Sequence, residues 1–172
     1  YLVASAPQRM VNLAAELGVF SGSVSKSMAA GLRVGYLGAL TDDCTLINDA
    51  VRHSTWLATP LAAEIAARWI HNGEGDRISA KRRDEYARRQ AAAREILSGL
   101  PYYGHPTAMH GWLDLPEEWP ADAFALQARI RGVAVCPTSS FSLSRRGRNG
   151  IRISISAPRS IDAVARGVGI IA

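Results

Sequence analysis

One stretch of this chain limits its architecture more than any other. Residues 79–98 (SAKRRDEYARRQAAAREILS) read as a single helix, with Ser79 as N-cap and Gly99 and Pro101 closing it. Tyr86, Gln90, Ala93 and Leu97 form a thin apolar stripe, and the other faces are rich in arginine. A long helix that is polar nearly all round often bridges two domains. The chain therefore divides into residues 1–75, a bridging helix at 76–98, and residues 99–172. Its 172 residues alone would suit one ordinary domain.

The two flanks differ in pattern. Upstream, residues 1–17 read as an irregular or helical lead-in, and 18–24 as a short strand bounded by Gly18 and a Ser/Gly cluster. Residues 34–39 read as a second strand, apolar without alternation and so expected to be buried on both faces. Asp42 or Asp43 can cap a helix to about Trp56. Thr59-Pro60 starts another, with Leu61, Ile65 and Trp69 at i, i+4 and i+8; Gly73 stops it, and residues 72–75 read as a loop. Downstream, strands are expected at 107–115, 133–136 and 151–156, with helices at 120–131 and 160–170. Ile151, Ile153 and Ile155 alternate with Arg152, Ser154 and Ser156. This half is a small α+β unit.

Composition excludes several classes. Hydrophobic residues make up 48% and charged residues 20%, which rules out whole-chain disorder, collagen and coiled coil. No run reaches the roughly 20 apolar residues of a spanning helix, and no signal peptide is visible. Cys44 and Cys136 lie far apart, as two reduced thiols of a cytoplasmic protein would. The four histidines lack ligand spacing, so no metal site is expected.

The net charge of +5 is carried by arginine, with Lys26 and Lys81 the only lysines. Residues 77–94 hold seven bases against Asp84 and Glu85, and residues 129–152 hold six arginines and no acid. Such patches raise a basic nucleic-acid-binding module as one function. The aromatics that could stack on bases are sparse there: Tyr86 and Phe141.

Lys26 carries the most chemical information. It follows the first strand within Ser23-Val24-Ser25-Lys26-Ser27, and Arg33 follows between Gly31 and Gly35. Hydroxyls and a guanidinium around one lysine can form an anion pocket. A partly dried lysine beside cations has the lowered pKa that an imine-forming amine requires. The plain alternative is an ordinary Ser/Gly turn; the GxxxxGK[ST] order of a P-loop is missing. Arg152, on the polar face of its strand, either meets solvent or lines a cleft.

These residues fall into an ordered set of matches. SGSVSKSMAAGLRVGYLGA resembles the cofactor-lysine segment of fold-type I pyridoxal-phosphate aminotransferases, and its GLRVGY variant is most similar to MocR-type regulators of the GntR superfamily. WIHNGEGDRISAKRRDEYARRQAAAREIL is similar to their interdomain helix in layout, although 80–94 departs residue by residue. MHGWLDLPEEW, RGVAVCPTSSF and NGIRISISAP resemble strands of their small domain. The resemblance implies an α/β fold: the C-terminal part of an aminotransferase, comprising the end of the large domain, the bridging helix and the small α+β domain. It implies that Lys26 bonds to pyridoxal 5'-phosphate and moves protons. Ser23, Arg33 and, less directly, Ser25 match phosphate ligands, and Arg152 matches the ligand of a substrate carboxylate.

In that family the acidic partner of the pyridine nitrogen, the ring-stacking residue and the glycine-rich phosphate segment precede the lysine, as does the winged helix of the regulators. Only 25 residues do so here, and the chain starts at Tyr1. The expectation is a piece of a longer homodimeric protein that binds an amino acid or amine ligand and reaches DNA through an absent winged helix. By itself the piece should hold the cofactor weakly or not at all. A fragment of a metabolic amino acid aminotransferase is the other expectation.

Overall fold

The computed structural model describes residues 18–39, 41–142 and 147–172; the expected lead-in and Arg145 and Arg146 fall outside them. Two compact units divide between Arg82 and Arg83.

In the first unit, β1 (Phe20–Ser23) pairs antiparallel with β2 (Gly35–Gly38), in the register Phe20 to Gly38 and Ser23 to Gly35. A turn at 24–28 and a single 3-10 turn at Ala30–Leu32 join them. The expected double burial of β2 does not hold: Tyr36 and Leu37 are 51% and 49% exposed. Among the described residues β2 has β1 as its one strand partner, and a two-stranded ribbon by itself has no covered interior. Helices α1 (Thr41–Ser54) and α2 (Pro60–His71) follow, the second beginning at proline as its sequence predicts. The Thr59 side chain makes no capping bond, however, and Leu61 is 71% exposed, leaving Ala66 as the buried residue of α2.

The break after α2 is shorter than expected. Gly73 takes φ +77°, a conformation that glycine adopts at no steric cost. Helix α3 (Glu74–Ile96) then starts at once, with Asn72 Oδ1 accepting from the Glu74 N–H at 3.1 Å. Asparagine therefore supplies the capping oxygen that sequence reasoning assigned to Ser79. Ser79 is instead buried inside the helix.

The second unit is a four-stranded antiparallel sheet in the order β3 (Tyr102–Tyr103), β4 (His110–Asp114), β6 (Gly150–Ser154), β5 (Cys136–Pro137). Helices α4 (Ala121–Ile130) and α5 (Ile161–Ile171) complete it. The isoleucine alternation predicts the core: Ile151, Ile153 and Ile155 are buried and join Leu97, Leu113, Ala128, Val164 and Val168. Each large side chain buried this way contributes roughly 1.5–3 kcal/mol. Two-residue β3 carries no alternation and was not foreseen, and β5 is displaced from 133–136 to its end. Ser160 caps α5 by accepting from the Ala163 N–H at 3.2 Å.

The thin stripe of α3 is buried, but it is not purely apolar. Gln90 is fully buried, and its amide donates to the carbonyls of Ala108 and His110 at 3.0 and 3.1 Å. Its Oε1 accepts from the Tyr102 hydroxyl at 2.9 Å, and burial pushes that hydroxyl's pKa up, so it stays a donor. Gly111 lies under the Tyr102 ring, where any Cβ would collide. Buried Arg89 donates to the carbonyls of Ile155 and Pro158 at 2.9 and 2.8 Å and to Glu85 at 2.7 Å. Arg89, then Arg88, hold the Glu85 carboxyl below its ordinary range.

Arg89→Met leaves the buried Ile155 carbonyl and the part-buried Pro158 carbonyl without this donor and should cost about 2–3 kcal/mol in urea unfolding. Because Glu85 has a depressed pKa in the folded state, its pairing stabilises above the unfolded value of about 4.3 and is lost as pH falls through the folded one. Glu85→Gln should flatten the urea-midpoint profile between about pH 5 and 3; an unchanged acid limb would refute the pairing. Gly167 and Gly169 on α5 have open space where a Cβ would sit. Gly167→Ala should stabilise by about 0.5–1 kcal/mol.

Candidate functional site

The segment around Lys26 is built by β1 and closed by its own backbone. The Val24 N–H donates to the Val34 carbonyl at 3.2 Å, continuing the β1–β2 pairing by one step. The chain then turns: the Met28 and Ala29 N–H groups both donate to the Val24 carbonyl, at 2.8 and 3.2 Å. Val24 and Ser27 face inward and are buried, while Lys26 between them is exposed. The turn thus presents the lysine and hides its neighbours. Among the described residues the Lys26 ammonium has no hydrogen-bond or ion-pair partner.

Ser23 and Ser25 belong to the same cluster. The Ser23 hydroxyl donates to the Val34 carbonyl at 3.2 Å and accepts from the Ser25 N–H at 3.1 Å. To donate to a phosphate it would have to release Val34. Arg33 sits next to Val34 with φ +53°, a left-handed conformation uncommon for a residue with a Cβ. Its side chain is exposed and lines an open cleft of 540 Å³ with Gly22, Tyr36, Asn48 and Thr59. Lys26 is not among the cleft's lining residues. The structure therefore gathers Ser23, Ser25 and Lys26 in one turn and places Arg33 at the other end of the same connection.

Sequence reasoning missed two residues here. Arg82 donates from Nη1 to the Lys26 carbonyl at 3.3 Å and from Nη2 to the Met28 carbonyl at 2.7 Å. Ser79 Oγ donates to the carbonyl between them, that of Ser27, at 3.2 Å. Gly75, one turn earlier on α3, has Met28 where its Cβ would be, with Cε 2.7 Å away. The signal was present: Ser79 and Arg82 continue the Tyr86, Gln90, Ala93, Leu97 stripe at helical spacing. Their polarity made them read as a cap and a solvated base.

Arg152 lies in the second unit, on β6, opposite Trp112 of β4 and Cys136 of β5. Its guanidinium stacks 4.5 Å over the Phe141 ring, and Nη2 donates weakly to Cys136 Sγ at 3.7 Å. Its Nε is buried and, among the described residues, has no hydrogen-bond partner. An unmet donor on a permanent cation is an attachment point for an anion, and a carboxylate suits the guanidinium fork. Both cysteines are free thiols, and no group of three metal-ligating side chains occurs among the described residues. No described helix is long and apolar enough to cross a membrane.

The family model for class I and II aminotransferases matches residues 2–171. This chain belongs to that family. It is 26% identical over 171 residues to an HTH-type transcriptional regulator of Bacillus subtilis, YdeF, named as uncharacterised, covering 99% of this chain and 35% of the regulator. Among solved structures, the α-aminoadipate aminotransferase LysN of Thermus thermophilus superposes with a TM-score of 0.82 at 21% identity, over 99% of this chain and 46% of that one. A multiple-substrate aminotransferase of Thermococcus profundus superposes with a TM-score of 0.80 at 23% identity, over 90% and 39%. The aminotransferase-family chain thus spans less than half the length of these relatives.

Pyridoxal phosphate is the cofactor of this family. The donor set fits it: a primary amine for the aldehyde, and hydroxyls and a guanidinium for the phosphate. When bound, the cofactor supplies an electron sink. Arg152→Met removes an unsatisfied buried donor and should leave urea stability unchanged or raise it by about 1 kcal/mol. A loss above about 2 kcal/mol would show that Arg152 is structural.

Proposed function

We propose that this chain is the cofactor-lysine and small-domain part of a pyridoxal-phosphate-binding regulator, of the MocR type in the GntR superfamily. There an aminotransferase-like region senses an amino acid or amine. The observation that carries this reading is Lys26: an exposed amine, without a partner among the described residues, on a turn whose carbonyls at 26–28 are each hydrogen-bonded. Ser23, Ser25 and Arg33 would hold the cofactor phosphate, and Arg152 the ligand carboxylate. Residues 1–75 would be the end of the large domain, 76–98 the interdomain helix and 99–172 the small domain. The parent would be a cytoplasmic homodimer reaching DNA through a winged helix upstream. Similarity to an HTH-type regulator over nearly the whole chain supports the regulator.

A metabolic aminotransferase is the second reading, supported by the solved neighbours, which are aminotransferases by title. The nucleic-acid module has less support. Arg77, Arg88 and Arg148 pair with Glu74, Glu85 and Asp114, and Arg82, Arg89 and Arg94 bond to backbone carbonyls. Those cations are engaged within the chain.

Borohydride reduction of the full-length protein with pyridoxal phosphate should place the cofactor mass on the Lys26 peptide, and Lys26→Ala should abolish it. The 172-residue chain should label at least about tenfold less, since ordering and orientation set such rates. Absence of label on the full-length protein refutes the cofactor role; equal labelling of the two refutes the weak retention. Amino-acid-dependent retardation of the protein's own upstream DNA marks a regulator, whereas turnover with a 2-oxo acid marks an enzyme.

A further inference from the structure

The lysine turn is held by a helix that contributes no cofactor ligand in the reading above. Three consecutive carbonyls, those of Lys26, Ser27 and Met28, each accept a hydrogen bond from a side chain of α3. The turn resembles the last turn of a helix, with its Met28-to-Val24 bond, and so its carbonyls project together from one end. A cation is the favoured partner of such a group of carbonyls. Arginine suits it better than lysine, because a planar fork can reach two carbonyls one residue apart at once. Ser79, one helical turn before Arg82, reaches the carbonyl between. Gly75, a further turn back, admits the Met28 side chain against α3. Three positions on one face of α3 thus fit three features of one turn.

We propose that Arg82 and Ser79 are positioning residues: a two-residue clamp that fixes the backbone on either side of Lys26 and so aims its amine. This rests on the reading of Lys26 as the cofactor lysine. Neither residue needs to touch cofactor or ligand. Without the clamp the carbonyls of residues 26–28 would lose their side-chain donors, the turn would keep only its closing bonds to Val24 and its apolar packing, and the amine would sample more directions. Reaction at a presented amine depends on that orientation.

The test uses the full-length protein with two readouts. The first is the rate at which pyridoxal phosphate and borohydride label Lys26, with exposed Lys81 as the internal reference. The second is amide exchange at Met28 and Ala29, the N–H groups that close the turn. Arg82→Ala should slow Lys26 labelling about tenfold relative to Lys81 and speed exchange at Met28 and Ala29 about tenfold. Arg82→Lys, which keeps the charge but not the fork, should recover part of both. A merely structural arginine would shift Lys26 and Lys81 labelling together. If Arg82→Ala does not fold by circular dichroism, Ser79→Ala, which removes one neutral donor, should give about a threefold effect on both readouts. A folded Arg82→Ala or Ser79→Ala protein with unchanged labelling and exchange overturns the clamp. Failure of the unsubstituted protein to label Lys26 at all overturns the cofactor reading instead, and exchange then decides the clamp alone.

Discussion

Side-chain donors on α3 bonded to backbone carbonyls are what the rest of this chain depends on. Ser79 and Arg82 hold the carbonyls of residues 26–28 in the first unit. Arg89, Gln90 and Arg94 hold those of Ile155, Pro158, Ala108, His110 and Gly104 in the second. These carbonyls lie in turns and at strand ends, where no sheet partner satisfies them. A buried carbonyl without a donor costs as much as a lost hydrogen bond. A purely apolar stripe on α3 would leave them without these donors, at the greatest cost for the buried carbonyls of Ser27 and Ile155; the polar stripe pairs them. This explains how so hydrophilic a helix can have a buried face.

That arrangement also decides how much was legible in the sequence. The core of the second unit was readable, because Ile151, Ile153 and Ile155 obey a period of two and their burial follows it. Helix starts at Pro60 and Ser160 and stops at Gly73, Gly99 and Gly132 were readable from residues whose backbone preferences are strong. Two-residue β3 was not, since pairing rather than propensity creates it. Burial of β2 was misjudged because an apolar strand can equally well be covered or open, and local sequence cannot tell which. The onset of α3 was misplaced because an asparagine two residues before Glu74 supplied the cap.

The candidate site divides the same way. Lys26, Ser23 and Ser25 could be singled out because their types and spacing carry chemistry, and the structure puts them in one turn. The surroundings of Arg152 could not, because Cys136 and Phe141 reach it only through strand pairing and a distant loop. Arg82 was hidden among like residues. In a sequence with 18 arginines, a single one engaged with the lysine turn has no distinguishing mark. Only its phase on the helix, shared with buried Tyr86 and Gln90, sets it apart.

The polar seat of α3 has a thermal corollary. Burial of apolar surface gives unfolding its large positive heat-capacity change, whereas exposing polar surface lowers it. The Ser79–Arg82 stretch of α3, seated on carbonyls through a hydroxyl and a guanidinium, adds less to that change than a leucine-lined stretch of the same length. Its hold therefore varies less steeply with temperature than the isoleucine-rich core of the second unit, whose grip weakens on cooling. Cold would loosen the sheet's apolar layer before it loosened the helix from the carbonyls around Lys26.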